Sequence, residues 1–340
     1  MINKLLHLLL FFLALVLPSH AEAQGPQRVT INNFIRAETD FYFATYVAQG
    51  AFGRFFHLRD VTPLDKQDIV RMNRDTLYSL AIIDLDAGPV TVELPDTRGR
   101  FMSLLLIDHD HYNPAVFYAP GKHRFTRAEI GTRYLALAVR TFLNPNDPDD
   151  VAAARAAQDA LRLEQPGGPG VWEAPQWDKT SQDALRQALS ALVPFADFKN
   201  GFGARGQVEP VARLVAAAAG WGGNPAHAAI YLPILPPEAA PGRTWRIRFT
   251  DVPVDGFWSV TVYDERGFMV PNPRNAVSIN NTTARRGVDG SVIVQFGGCT
   301  DAAPNCLPVP NPWNAVLRLY RPRAEITDGR WTMPALESLP

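Results

Sequence analysis

The sequence predicts a mostly β protein with a helical insertion (α+β): an antiparallel β-sandwich or jelly-roll body with helices packed outside. Three observations carry this reading. Residues 76–142 and 245–320 are built of short apolar runs separated by turn residues. Between them, residues 147–220 lose that period and take helical spacing and helix caps. Strands of five to ten residues joined by tight turns pair antiparallel, because parallel pairing needs long crossovers.

The chain opens with "MINKLLHLLLFFLALVLPSHAEAQ", in which Lys4 precedes an apolar stretch from Leu5 to Leu17 and small residues flank Glu22. This is the pattern of a secretory signal over residues 1–23, cleaved after Ala23. Its apolar stretch is too short for a membrane span, which takes roughly 20 residues. The expected product is an exported soluble protein, periplasmic or secreted, with no membrane span. Three regions are expected after the signal: an N-terminal β domain over 24–165, a helical insert over 166–224 and a C-terminal β domain over 225–340.

The stretch "NNFIRAETDFYFATYVAQGAFGRFF" places Phe34, Phe41, Ala44, Ala48, Phe52 and Phe55 at helical spacing behind an Asn cap, which predicts a helix packed over a sheet. The β-like runs "TLYSLAIIDL", "VTVELP", "RFMSLLLID" and "RYLALAVRTF" follow. Those at 104–107 and 135–139 are apolar on both faces and should lie centrally. Asp147, Pro148 and two further acids open a helix at "NDPDDVAAARAAQDALRL". After the Pro and Gly-rich loop at 166–170 come two more helices, "SQDALRQALSALV" and "EPVARLVAAAAGW", the second ended by glycines. The second β set comprises "WRIRFTDV", "FWSVTVYDERG", "SVIVQFGG" and "VLRLYRP". On "GFWSVTVYD", Trp258, Val260 and Val262 share the core face, opposite Ser259, Thr261 and Tyr263.

With 33 basic against 34 acidic residues, the charge balance gives no grip on nucleic acid or anionic lipid, so a partner should be a small molecule held in a pocket. Cys299 and Cys306 enclose six residues and, in an exported chain, are expected to form a local disulfide. The "GFGARG" at 201–206 has dinucleotide-loop spacing but lacks the strand before it, so it reads as an inter-helix loop. Serine-hydrolase elbows and zincin motifs do not occur.

Two polar clusters remain. "IDHDHYNP" ends a central strand in Asp108, His109, Asp110, His111 and Tyr112, and an H-x-H pair on a strand suits a divalent metal, with His57, His123 or Glu129 as third ligand. The alternatives are a metal-free polar site and a hydrogen-bonded strand end. "MNRDTLYS" enters another strand with Asn73, Arg74, Asp75 and Tyr78, and Arg74 can reach a carboxylate such as Asp75 or Asp108.

These same stretches, "NRDTLYSLAIIDLDAGPVTVELPD", "IDHDHYNPAVFY" and "GTRYLALAVRTF", resemble the domain-of-unknown-function family 1254. "VPVDGFWSVTVYDERGFMVPNP", "NAVSINNTT" and "LRLYRPRAEITDGRW" resemble family 1214, its usual C-terminal companion. The resemblance implies a mostly β architecture in which the two blocks share one body. It also implies a D-x-D-H-Y pattern at 108–112 that leaves His109 out, which weakens the metal pair and favours no resident cofactor.

The resulting expectation is an exported small-molecule protein with hydrolase or lyase chemistry, in which Asp75, Asp108 and His111 act as acid, base and orienting groups. Asn73, Arg74, Tyr78, Tyr112 and Trp313 are the candidate ligand-binding residues, for a carbohydrate or aromatic ligand. The rival is a non-catalytic binding or envelope scaffold. Geometry separates them, because Asn73, Asp75, His111 and Tyr112 must then share one concavity.

Overall fold

The computed structural model describes residues 25–67, 70–196, 198–237 and 242–339, so the expected signal at 1–23 lies outside the described residues. The described chain is mostly β, with antiparallel sheets, six α-helices and no closed barrel. No helix among the described residues is long and apolar enough to cross a membrane.

The first half holds α1 (Phe34–Ala48), β1 (Phe56–Leu58), β2 (Thr76–Asp84), β3 (Val90–Leu94), β4 (Met102–Asp108), β5 (Val116–Tyr118), β6 (Gly121–Phe125), α2 (Arg127–Ile130) and β7 (Tyr134–Phe142). A five-stranded sheet runs β1-β2-β7-β4-β5. Its three central strands are apolar on both faces because both are covered. Ala81, Ile83, Leu104, Leu106, Leu137 and Val139 pack toward Val90, Val92 and Leu94 of the alternating strand β3. Leu80, Ile82, Leu105 and Ile107 pack on Phe43 of α1.

Then come α3 (Pro148–Asp159), β8 (Arg162–Glu164), α4 (Lys179–Ser190) and α5 (Pro210–Gly220). Strand β8 joins β3 and β6 in a three-stranded sheet. The caps fall as expected: Asp147 accepts from the amides of Asp149 and Asp150, with Pro148 in the first turn. "GFGARG" lies in the loop before α5.

The last part holds β9 (Ala229–Ile234), β10 (Trp245–Phe249), β11 (Trp258–Asp264), β12 (Ser278–Asn280), β13 (Val292–Phe296), β14 (Cys306–Leu307), β15 (Trp313–Tyr320), α6 (Ala324–Thr327) and β16 (Glu337–Ser338). They form two four-stranded sheets, β12-β11-β15-β9 and β14-β13-β10-β16, antiparallel except for β13 with β14. One apolar core joins them: Trp258, Val260, Val262, Leu317 and Leu319 meet Trp245, Ile247, Phe249, Val294 and Phe296. Cys299 and Cys306 are joined in a disulfide beside β14.

Helix α1 departs from its expected stripe. It ends at Ala48, so Phe52 and Phe55 lie beyond it, and Phe41 is 41% exposed. The buried face instead carries Phe34, Ala37, Glu38, Thr39, Asp40 and Phe43. The acids are buried because each has partners on another element: Glu38 accepts from Arg186 and Gln182 of α4, and Asp40 from Trp177 at 2.8 Å. A paired carboxylate can be buried where an unpaired one cannot.

Candidate functional site

The two expected polar clusters lie at opposite ends of the first sheet. Asp108 pairs with Leu135 of β7, whereas the Asp75 carbonyl accepts from Leu143, eight residues further along. At roughly 3.3 Å per strand residue the two are about 25 Å apart. Asp75 and Asp108 therefore do not form one acid-base pair.

Around Asp108 the strand ends in a tight turn. Asp108 Oδ1 accepts from the amides of Asp110 and Tyr112 at 2.9 and 2.8 Å, and His111 has a φ of 64°. The chain is no longer extended there, so His109 and His111 do not share a strand face as an H-x-H metal pair requires. His109 bonds Asp40 and Arg36, and stacks on Phe43 with ring centroids 5.5 Å apart. His111 Nε2 accepts the Gly222 amide at 2.9 Å, and its ring stacks on Trp221. Burial, then the nearby Arg213 cation, pushes the His111 pKa down to about 3, so this ring is a neutral acceptor and no general base near pH 7. Tyr112 lies between the guanidinium groups of Arg205 and Arg213, at 4.2 and 3.8 Å from its centroid. Asp108 is buried, and burial raises its pKa, with Arg205 3.7 Å away. Asp110 pairs with Arg36 and Arg205, which outweigh its burial and hold its pKa low. This turn pins α1 and the helical insert to the sheet. As for the third ligands considered, His57 bonds Ser79 and Glu129 closes the capping box of α2, and the described residues hold no group of three metal-ligating side chains.

At the other end, the first sheet carries a transverse polar row. Register sets Tyr78 opposite Arg140, Arg140 opposite Ser103, and Ser103 opposite Tyr118. The C-terminal sheet carries a second row, Asn280, Ser259, Arg318 and Tyr231. Two amides join the first sheet to the C-terminal one. Asn73 Nδ2 donates to the hydroxyls of Tyr78 and Tyr320 at 3.0 and 3.3 Å. Asn224 Oδ1 accepts from Arg140 at 3.3 Å while its Nδ2 donates to the Tyr231 hydroxyl at 3.0 Å.

Arg140 is the centre of this arrangement. It is 8% exposed, lies 5.4 Å from the Tyr78 ring and donates to the Gly222 carbonyl at 3.3 Å, and it forms no ion pair with a carboxylate among the described residues. Five of the nine tyrosines, 46, 78, 118, 231 and 320, lie within electrostatic range of it, from five separate elements. The cluster reaches solvent at Tyr231, which is 40% exposed. Burial pushes Tyr46 up to about 12 and raises Tyr118 and Tyr320, so these phenols keep their protons. Gly222 connects the two ends, because its amide binds His111 and its carbonyl binds Arg140.

Asp75 lies under this cluster, 1% exposed. Its Oδ1 accepts from Asn280 at 3.1 Å and its Oδ2 has no partner; Ser259 faces the carboxyl, but its hydroxyl forms no bond of hydrogen-bond geometry to it. Burial raises the Asp75 pKa above 3.8. The folded state therefore holds this proton longer than the unfolded state. The stability from that proton is full below the unfolded pKa and is lost as pH rises through the folded one. Asp75→Asn keeps the acceptor and removes the charge, so it should raise stability by about 1 to 2 kcal/mol at pH 7 and by nothing near pH 3, as read from urea unfolding at both values.

Of the expected ligand residues, Asn73 and Tyr78 belong to the Arg140 cluster, and Tyr112 belongs to the Asp108 turn. Arg74 forms no ion pair among the described residues, so its expected bond to Asp75 or Asp108 is absent. Trp313 is buried in the C-terminal core, stacked on Phe296 with centroids 5.0 Å apart, and also lines a small cleft of about 160 Å³. A larger surface cleft of about 870 Å³ lies between α3 and Phe257; of its charged residues Asp96, Arg98, Arg100, Asp147 and Asp150, Arg100 and Asp150 bond each other at 2.6 Å. Arg140 and Tyr231 are not picked out by sequence reasoning. The available signal was Arg140 itself, the single charge within the apolar run "YLALAVRTF".

Residues 52–124 match the family model described as Protein of unknown function (DUF1254), and residues 238–324 the one described as Protein of unknown function (DUF1214). The chain carries DUF1254 followed by DUF1214. In the Arg140 cluster, Tyr78 and Tyr118 lie within the DUF1254 match and Tyr320 within the DUF1214 match, with Arg140 and Tyr231 between the two. The fold is similar to the crystal structure of the VPA0106 protein from Vibrio parahaemolyticus, with a TM-score of 0.71 at 19% identity over 91% of this chain and 98% of that one. It is also similar to an uncharacterised protein from Burkholderia cenocepacia, with a TM-score of 0.53 at 15% identity over 91% and 87%. At these identities the likeness is one of fold. No curated protein matches the sequence.

Proposed function

We propose that this is an exported protein that binds an anionic small molecule at Arg140. One observation carries the reading: an always-charged guanidinium lies buried among phenols and amides with no carboxylate partner. Burying an unpaired charge costs several kcal/mol, which an arriving anion would offset. The hydrogen bonding narrows the match. Tyr78, Tyr320 and Tyr231 each accept from an amide, which leaves their O–H donors with no acceptor among the described residues. A site with donors in excess suits an oxyanion, which only accepts.

In this reading the three regions each supply part of one site: 24–165 gives Tyr78 and Arg140, the insert 166–224 gives Gly222 and Asn224, and 225–340 gives Tyr231 and Tyr320. The C-terminal pair of sheets serves as a β-sandwich that presents its polar outer face to the first half, with helices outside. Export rests on the signal pattern at 1–23, and the disulfide is in keeping with an oxidising compartment.

Hydrolase or lyase chemistry is a second reading, favoured by the protonated phenols beside a cation, which can donate a proton to a developing oxyanion. In that case the acid is a tyrosine of the cluster, and Asp75, Asp108 and His111 act on structure.

Arg140→Met tests the proposal. It removes an unpaired buried charge, so the melting temperature should hold or rise while anion binding is lost. Sulfate, phosphate or a small carboxylate should stabilise the wild-type full chain, by about 2.7 kcal/mol at a hundred times its Kd, and should leave the variant unchanged. Mass spectrometry of co-purified small molecules should return an acidic compound from the wild type alone. A wild-type protein that is empty and indifferent to all three anions would restore the scaffold reading.

A further inference from the structure

We infer that the anion held at Arg140 is an aromatic carboxylate, bound with its planar ring against the face of Tyr231. The inference rests on the proposed anion site and names its ligand class. Elsewhere in this region rings are already paired. Tyr320 stacks on Phe257 at 4.3 Å, and Tyr42 stacks on Trp221 at 4.5 Å. Tyr46, Tyr78 and Tyr231 differ: they stack on no other ring among the described residues, all three retain solvent exposure, and all three lie in the field of Arg140. They come from α1, β2 and β9; Arg140 lies 5.4 Å from the Tyr78 ring and is joined to the Tyr231 hydroxyl through Asn224. Tyr46 packs on the apolar cluster around Phe43 and Arg140 lies over the Tyr78 ring, so the half-exposed Tyr231 is the open face. An open phenol face beside a cation offers a planar ring a stacking partner and a carboxylate its counter-charge in one place.

The donor surplus argues against the other ligand considered, a carbohydrate. A sugar brings many O–H donors, and these need acceptors. Here the phenol oxygens already accept from Asn73 and Asn224, and the Gly222 carbonyl accepts from Arg140. No carboxylate within the cluster is open to a sugar hydroxyl, since the single free oxygen of Asp75 is buried beneath it. A carboxylate on an aryl ring asks for the opposite set: donors at one end and apolar faces at the other.

Calorimetry of the wild-type full chain with benzoate, cyclohexanecarboxylate and acetate tests this. Benzoate should bind about tenfold or more tighter than either of the others, because cyclohexanecarboxylate has the same size and charge but no flat face. Arg140→Met should abolish benzoate binding. Tyr231→Leu should weaken benzoate about tenfold; because it also takes the acceptor from the Asn224 amide, thermal unfolding is followed in parallel, and Tyr231→Phe, which loses the same acceptor but keeps the ring, should retain benzoate binding. Equal binding of benzoate and cyclohexanecarboxylate, or of benzoate and acetate, overturns the aromatic assignment and leaves the anion site standing. Benzoate binding that survives Arg140→Met overturns the location. If no anion binds, sulfate and phosphate included, both the inference and the reading beneath it fail.

Discussion

Replacing His111 with alanine should destabilise the protein by about 3 kcal/mol or more. The change leaves the Gly222 amide without its acceptor, at a cost of roughly 1 to 3 kcal/mol, and opens a void beside Trp221 and Phe202. His111→Asn should be milder, because Asn tolerates the φ of 64° at this position and supplies an acceptor. The two variants further report on protonation. The folded ring stays neutral to about pH 3, whereas the unfolded imidazole takes a proton near 6.5. Between those values the unfolded state binds more protons, so the His111 contribution is lost as pH falls through that window. At about 1.4 kcal/mol per unit this is a loss of a few kcal/mol in the wild type, absent from His111→Asn. Urea unfolding between pH 4 and pH 7 measures both effects. Unchanged stability of His111→Ala would return His111 to the reactive role.

Trp313→Ala should be the costliest single change considered, about 3 to 5 kcal/mol, the range for removing a large buried aromatic. The ring is 8% exposed and stacks on Phe296 with an interplanar angle of 15°, so it ties β15 to the opposite sheet of the C-terminal core. Binding of benzoate or sulfate to the protein that remains folded should be unaltered, because Trp313 lies in the core and away from Arg140. If stability held and binding fell, Trp313 would be a ligand residue. Chemical unfolding and calorimetry on the same sample separate the outcomes.

Local order was legible in the sequence because its causes are local. The period-two runs became β3, β10 and β13, the runs apolar on both faces became the central strands β4 and β7, and Asp147 with Pro148 opened α3. The pairing of two cysteines seven positions apart needs no long-range information either. The buried face of α1 was misread, since a count of apolar spacing cannot know that Arg186, Trp177 and His109 stand ready to pair with Glu38 and Asp40.

By itself, then, the sequence determined which segments are strands and helices, the order of the two β blocks, the disulfide, and that Asn73 and Tyr78 are polar residues of interest. Only the tertiary structure decided what they belong to. Strand register places Tyr78 beside Arg140, and the packing of the C-terminal sheet brings Tyr320 to Asn73 across 247 positions of sequence. The same packing set Asp75 and Asp108 at opposite ends of one sheet. The physical reason is that a charge or hydroxyl has no chemical role until its neighbours fix its burial and its hydrogen-bond partners. In a strand those neighbours come from other strands, whose identity is not written in the residues nearby.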